Sequence, residues 1–363
     1  MIMSAATKRI SLACLIALTI GSVVCVHLVS PGHVVAGGKD IEKTLEDYEE
    51  TVEQAMDRGL EFLASQQLAD GSFRGQMQGV TAVVSLSVMA FLAKGYTPGV
   101  GPYGEEINRG IDFVLSCAQD NGVLVGRAGS PGGGMYSHAI ATLFLSEVSG
   151  MVDPERQKKI DEALPKALRV VLAAQQMKKR DSHQGGWRYE HNSRDSDISC
   201  TGWPLMALRS ARNAAAAVPA QAIEDGVKFV MNCRCKDGGF AYQPGAGSGV
   251  ARTGTALLCL ELCGHHGETA AIGAGDYILK HPTDSNYLFY GAYYTAQGMY
   301  QLGGEHWEKH ARQMYETLLP MQQSNGSWPT KGSDGGRAGP CYTTAMAILA
   351  LSVPCCQLPI YQR

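Results

Sequence analysis

Residues 185–208 read GGWRYEHNSRDSDISCTGWPLMAL, and the rest of the chain repeats their plan. A glycine pair turns the chain and presents Trp187. A polar loop runs on to Asp195, Asp197 and Ser199. An apolar helix then opens with Thr201, Gly202, Trp203 and Pro204. The same succession recurs on both sides: an amphipathic helix, a glycine turn with an aromatic residue, a polar loop and a strongly apolar helix.

Before this stretch stand AMDRGLEFLASQQLADGSF with TAVVSLSVMAFLAKG, and INRGIDFVLSCAQDNGVL with MYSHAIATLFLSEV. The opening stretch pairs with ALPKALRVVLAAQQ. After it come GVKFVMNCRCKDGGFAY with RTGTALLCLELCG, then GAGDYILKHP with YLFYGAYYTAQGMYQLGG, whose turn is degenerate. ARQMYETLLPMQQSNGSW with CYTTAMAILALSV is last. In the first helix, Met56, Gly59, Leu60 and Leu63 share one face at helical spacing. The second helix of each pair is apolar nearly all round, which marks it as buried. The outer helices align at Gly59, Gly110, Ala167, Gly226, Gly275 and Tyr315. Repeats of this length stack units that cannot bury their apolar faces alone. Alternating β-branched runs are missing. Six such hairpins predict an all-α fold, an α/α toroid with the apolar helices inside, as one domain over residues 55–353. Residues 354–363 are read as a tail.

Glycine punctuates the turns. Gln67-x-x-x-Gly71-x-Phe73 recurs as Gln322-x-x-x-Gly326-x-Trp328, with looser copies at Gly185-x-Trp187 and Gly238-x-Phe240. The glycine is expected to end the outer helix in a left-handed conformation, and the Gln to bond freed backbone groups. This is stabilising chemistry, so neither Trp187 nor Trp328 is read as catalytic.

The 363 residues carry a net charge of −3 and 45% apolar side chains, enough for a large core. Residues 1–36 have the form of a secretory signal: Lys8 and Arg9, an apolar run, then small residues at Val34-Val35-Ala36. The protein is therefore expected to be exported, periplasmic or secreted, with an uncleaved N-terminal anchor as the alternative. Residues 37–54 are an acidic lead-in. Without the signal the net charge falls to −5, and no basic stripe suggests nucleic acid. Any membrane contact would run through the N-terminal segment. Nine cysteines follow the signal, and in an oxidising compartment some are expected to pair, Cys355-Cys356 serving a disulfide. Cys233, Cys235, Cys259, Cys263, His265 and His266 match no standard zinc spacing. No metal and no cofactor is called for.

The repeated Gln-x-x-x-Gly-x-Trp turns resemble those of the prenyltransferase and squalene-cyclase superfamily, over about residues 55–353. The resemblance implies the six-hairpin α/α toroid. Protein prenyltransferases of this superfamily hold zinc with an Asp, a Cys two positions on and a later His. The matching positions here are Tyr290, Ala292 and Thr343, none a usual zinc ligand. Class II terpene cyclases protonate an alkene with Asp-x-Asp-Asp. Asp195-Ser196-Asp197-Ile198 is similar, with Asp197 at the acid position, Asp195 as its neighbour and Ile198 in place of the last Asp. The cyclases' second helical domain has no room in this chain.

The candidate catalytic residues are Asp195 and Asp197. Two close carboxylates in an apolar cavity would raise one pKa, which acid catalysis requires. The competing reading is N-capping of the following helix, with Ser199 or Thr201 as the cap. The inner helices begin at Thr81, His138, Asp195–Pro204, Arg252, Tyr290 and Tyr342. Their tips converge at one mouth if the ring closes. Cavity-lining candidates are therefore His138, Trp203, Arg252, Tyr290, Tyr294 and Tyr342. Arg252 is expected either to pair with Asp197 or to hold an anionic group. The chain is read first as a binding scaffold for an apolar or isoprenoid small molecule, or for a protein or glycan partner. A cyclase-like isoprenoid enzyme and a glycan-active enzyme are the alternatives.

Overall fold

The computed structural model describes residues 43–126, 134–281 and 283–362. The signal assigned to residues 1–36 lies outside them. Thirteen α-helices and no extended strand are present among the described residues. The outer helices are α1 (Glu49–Gln66), α3 (Gly104–Ser116), α5 (Pro154–Gln176), α7 (Ala220–Asn232), α9 (Thr269–Lys280) and α11 (Gly304–Leu318). The inner ones are α2 (Thr81–Ala93), α4 (Gly134–Val148), α6 (Ile198–Asn213), α8 (Val250–Leu262), α10 (Leu288–Leu302) and α13 (Pro340–Leu351). A short α12 (Gly332–Ala338) lies between α11 and α13.

Each inner helix packs on the next, and α13 returns to α2, so the ring closes. Every residue of α2 is buried, as its unbroken apolar run requires. The turns bring neighbouring outer helices together. Gly71, Gly122, Gly185, Gly238 and Gly326 all lie near φ +90°. A Cβ at Gly71, Gly185 or Gly326 would sit 2.1–2.2 Å from the carbonyl oxygen of Arg109, Asp225 or Arg58 on the next outer helix. Only glycine permits that approach. Gln67, Gln175 and Gln322 donate to the carbonyls of Glu106, Ala222 and Ala55 at 2.7–2.8 Å. The Gln322 bond joins the sixth hairpin to the first.

These contacts correct two alignments. Gly238 faces the carbonyl of Gly273, so Ala274 rather than Gly275 is the fifth equivalent. The spacing from the turn Gln makes Met314, not Tyr315, the sixth. The acidic lead-in is also shorter than expected: α1 begins at Glu49, and Tyr48 and Val52 are already buried. The last residues do not hang free. Leu358, Ile360 and Tyr361 are buried, Ile360 N–H donates to Glu147 Oε2 at 3.1 Å, and the Tyr361 and Tyr293 hydroxyls bond at 2.5 Å. Cysteines expected to pair are free thiols at all nine described positions. Five of them are buried, where Cys acts as a small hydrophobe. No described helix is long and apolar enough to cross a membrane.

Candidate functional site at the mouth of the toroid

The N-terminal ends of all six inner helices surround one open cavity of about 760 Å³. Its apolar wall comes from Ala82, Val83 and Leu86 of α2, Ile140 of α4 and Ala251 of α8. Six tyrosines complete it: Tyr136, Tyr189, Tyr242, Tyr287, Tyr290 and Tyr342. Arg252 and Arg337 stand at the rim with Glu190, Asp284 and Asp334. Tyr287 is half exposed, and the Tyr290 hydroxyl shares a 2.7 Å bond with Thr255. Asp334 of the adjacent α12 accepts the Tyr290 N–H at 3.0 Å and so caps α10 from a neighbouring helix. Burial raises its pKa.

Of the residues expected here, Arg252, Tyr290 and Tyr342 line the cavity. Trp203 and Tyr294 lie beneath it in the core. Trp203 stacks on Tyr293 at 5.4 Å and meets Tyr294 edge-on at 5.3 Å. The Tyr294 hydroxyl is buried without a hydrogen bond. His138 is withdrawn as well. Its Nδ1 accepts the Leu124 N–H at 3.0 Å, which leaves Nε2 to donate to the Ala167 carbonyl at 3.0 Å. Burial lowers its pKa to about 4, so the ring is neutral. It does what Thr201, Thr253 and Thr344 do in other repeats, where the hydroxyl accepts the N–H of Trp187, Phe240 or Trp328.

Asp197 caps α6. Its Oδ1 accepts the Cys200 N–H at 2.8 Å, so the cap is Asp197 rather than Ser199 or Thr201. Oδ2 is buried without a hydrogen bond and faces Arg188 Nη1 at 3.6 Å. Burial raises the carboxyl pKa to about 6, against the opposing pull of the Cys200 N–H and the Arg188 charge. The cation beside it is therefore Arg188, not Arg252. Arg188 also approaches Asp195 at 3.5 Å and lies 4.9 Å and 5.5 Å from the ring centroids of Tyr189 and Tyr242. Those two tyrosines, joined by a short bond between their hydroxyls, stand at the cavity wall. Asp195 instead lines a side groove with Lys179, Arg194 and Gln243.

The sequence reading missed Tyr189, Tyr242 and Arg188. A signal for the first two was present: each follows its turn aromatic by two residues, as in Trp187-x-Tyr189 and Phe240-x-Tyr242.

The positions that correspond to zinc ligands in protein prenyltransferases do not fit a metal. Tyr290 is bonded to Thr255, Ala292 has no donor, and the Thr343 hydroxyl donates to the Trp328 carbonyl at 2.9 Å.

The family model for the prenyltransferase alpha-alpha toroid domain matches residues 43–287. No curated protein matches the chain. Among solved structures, the type II terpene cyclase MstE from Scytonema is similar at 13% identity and TM-score 0.52, over 85% of this chain and 100% of that one. A D-mannose isomerase is similar at 10% identity and TM-score 0.57, over 86% and 100%. A reducing end xylose-releasing exo-oligoxylanase is similar at 15% identity and TM-score 0.56, over 88% and 95%. At such identities the likeness carries the fold alone. A family model spanning two thirds of the sequence, on a closed ring of six helical hairpins, places this chain in the prenyltransferase alpha-alpha toroid domain family.

Proposed function

We propose that the chain is an exported binding toroid. Its mouth takes a small molecule with an apolar body, of isoprenoid character, and a polar or anionic end. One observation carries this: an aliphatic wall and six tyrosines converge on a single cavity at the ring's mouth. Tyrosines give large apolar contact with a hydroxyl at one edge. Arg252 and Arg337 make no ion pair among the described residues and are placed to meet the polar end.

Acid-catalysed isoprenoid chemistry is the second reading, favoured by the raised pKa of Asp197. Its geometry supports binding better. A general acid must reach the atom it protonates. Asp197 has no exposed surface, one oxygen caps α6, and the Tyr189–Tyr242 wall belongs to the cavity where Asp197 does not. The half-exposed Tyr287 at the rim is what a glycan reading would use, but the wall behind it is aliphatic.

Titration calorimetry with a short polyprenol and with an oligosaccharide of similar length separates these readings. The polyprenol should bind the wild type and lose at least tenfold in affinity to Ala82→Trp, which fills the mouth. Preference for the oligosaccharide, or polyprenol binding indifferent to Ala82→Trp, would refute the proposal. Turnover of the polyprenol that Asp197→Asn abolishes would establish the second reading.

A further inference from the structure

Five of the six gaps between consecutive outer helices are filled by a turn from the hairpin itself. Phe73, Leu124, Trp187, Phe240 and Trp328 follow the five turn glycines by two residues and are buried. The two tryptophans show the pattern best. Trp187 Nε1 donates to the Val171 carbonyl of α5 at 2.8 Å, and its ring edge would lie 3.4 Å from a Cβ at Gly226 of α7. Trp328 is placed in the same way between α11 and α1.

The gap between α9 and α11 has no such turn. Residues 281–287 contain no glycine and lead straight into α10. What remains there is a pocket of about 310 Å³, lined by Ile278 of α9, His310, Met314 and Leu318 of α11, and Ala292 of α10, with Thr317 at its exposed edge. His310 occupies the helix position held by Ala55, Glu106 and Ala222 elsewhere, the position whose carbonyl receives the turn Gln. No turn Gln serves it here. His310 is 8% exposed, and its Nε2 has no hydrogen bond. A buried imidazole nitrogen without a partner, beside a gap of this size with an apolar floor and a polar edge that includes Lys280, His281 and Gln313, is unusual in a finished core.

We propose that this gap receives an aromatic turn, Gly-x-Trp in type, from a partner polypeptide. The indole would fill the space between α9 and α11 and donate its N–H to His310 Nε2. The protein's own repeats supply the pattern: four of the other five gaps are closed by a turn-borne aromatic ring and one by Leu124, and the glycine would let the partner backbone reach the Gln313 carbonyl as Gly326 reaches Arg58. The site is on the outer wall, apart from the mouth, and does not rest on the ligand proposed there.

The probe is a fluorescein-labelled peptide QQSNGSW, the turn of the sixth hairpin, titrated against the purified full chain by anisotropy. Saturable binding is expected, weakened about tenfold or more when the peptide's Trp is Ala. Thr317→Trp, which closes the pocket from an exposed position, should abolish it. His310→Ala should weaken it about fivefold, and only for peptides with an indole N–H, not for the N-methylated indole. Thermal melts establish that both variants fold, and Thr317→Trp alone suffices if His310→Ala does not. Three results would each overturn the proposal: no binding of the wild-type peptide, equal binding of the Ala peptide, or full competition by free indole at the peptide's own affinity.

Discussion

Replacing Asp197 by Asn isolates the energetics at the head of α6. In the folded chain the Asp197 carboxyl titrates at about 6 against an ordinary 3.8, because burial penalises its charge. At about 1.4 kcal/mol per pH unit of displacement, the ionised carboxylate destabilises the fold by roughly 3 kcal/mol near neutrality. The sign follows from proton binding. Between pH 4 and 6 the folded state holds more protons at this site than the unfolded chain, so its contribution to stability falls as pH rises. Asn keeps an oxygen for the Cys200 N–H and cannot ionise. Urea denaturation from pH 4 to 7 should therefore show Asp197→Asn gaining on the wild type by about 3 kcal/mol across that window. The wild type's own profile will hide the effect. Glu147, raised to about 7 by burial, acts in the same direction, while buried His138 and His310, both lowered to about 4, contribute stability that is lost as pH falls. The comparison must be the difference between the two proteins. A difference that stays constant from pH 4 to 7 would refute the reasoning.

Four further substitutions and one truncation test the frame. Gly326→Ala forces a Cβ to 2.2 Å from the Arg58 carbonyl at φ +86° and should destabilise by about 2 kcal/mol or more. Gly264→Ala, at φ +96° with open space around it, should lose only about 1 kcal/mol in the same melts. His138→Ala leaves the Leu124 N–H and the Ala167 carbonyl unpaired and should lower stability by about 2–4 kcal/mol, with a smaller loss for His138→Asn. Truncation after Val353 removes the buried Leu358, Ile360 and Tyr361, worth about 1.5–3 kcal/mol each, and should lower the melting midpoint by several degrees.

The ring was legible because its turns carry residues with little freedom to be anything else. A glycine at positive φ two residues before a buried turn residue recurs in five hairpins, and a Gln four residues before that glycine in the first and last announces the unit. Its count followed from periodicity, although Gly275 and Tyr315 were each placed one residue off, since an apolar helix face looks alike at adjacent positions. The site was harder. Reading the inner-helix tips as convergent found Arg252, Tyr290 and Tyr342. It wrongly admitted His138, whose two ring nitrogens serve backbone groups that no sequence pattern reveals. Asp197 was read as the acid and the cap was sought at Ser199 or Thr201; the 2.8 Å bond from the Cys200 N–H shows that Asp197 itself is the cap. Arg188 went unnoticed because it sits in the turn, where side-chain direction depends on how two neighbouring loops pack. Nothing in the tail's composition showed that Ile360 would meet Glu147, more than two hundred residues away.

The most direct test of the binding account is native mass spectrometry of the purified chain beside Ala82→Trp, followed by identification of any released molecule. The account predicts a bound species of apolar, isoprenoid-like character on the wild type and its absence from the filled variant. A wild-type chain that carries nothing and binds no polyprenol, or a bound species present equally on both proteins, would contradict it.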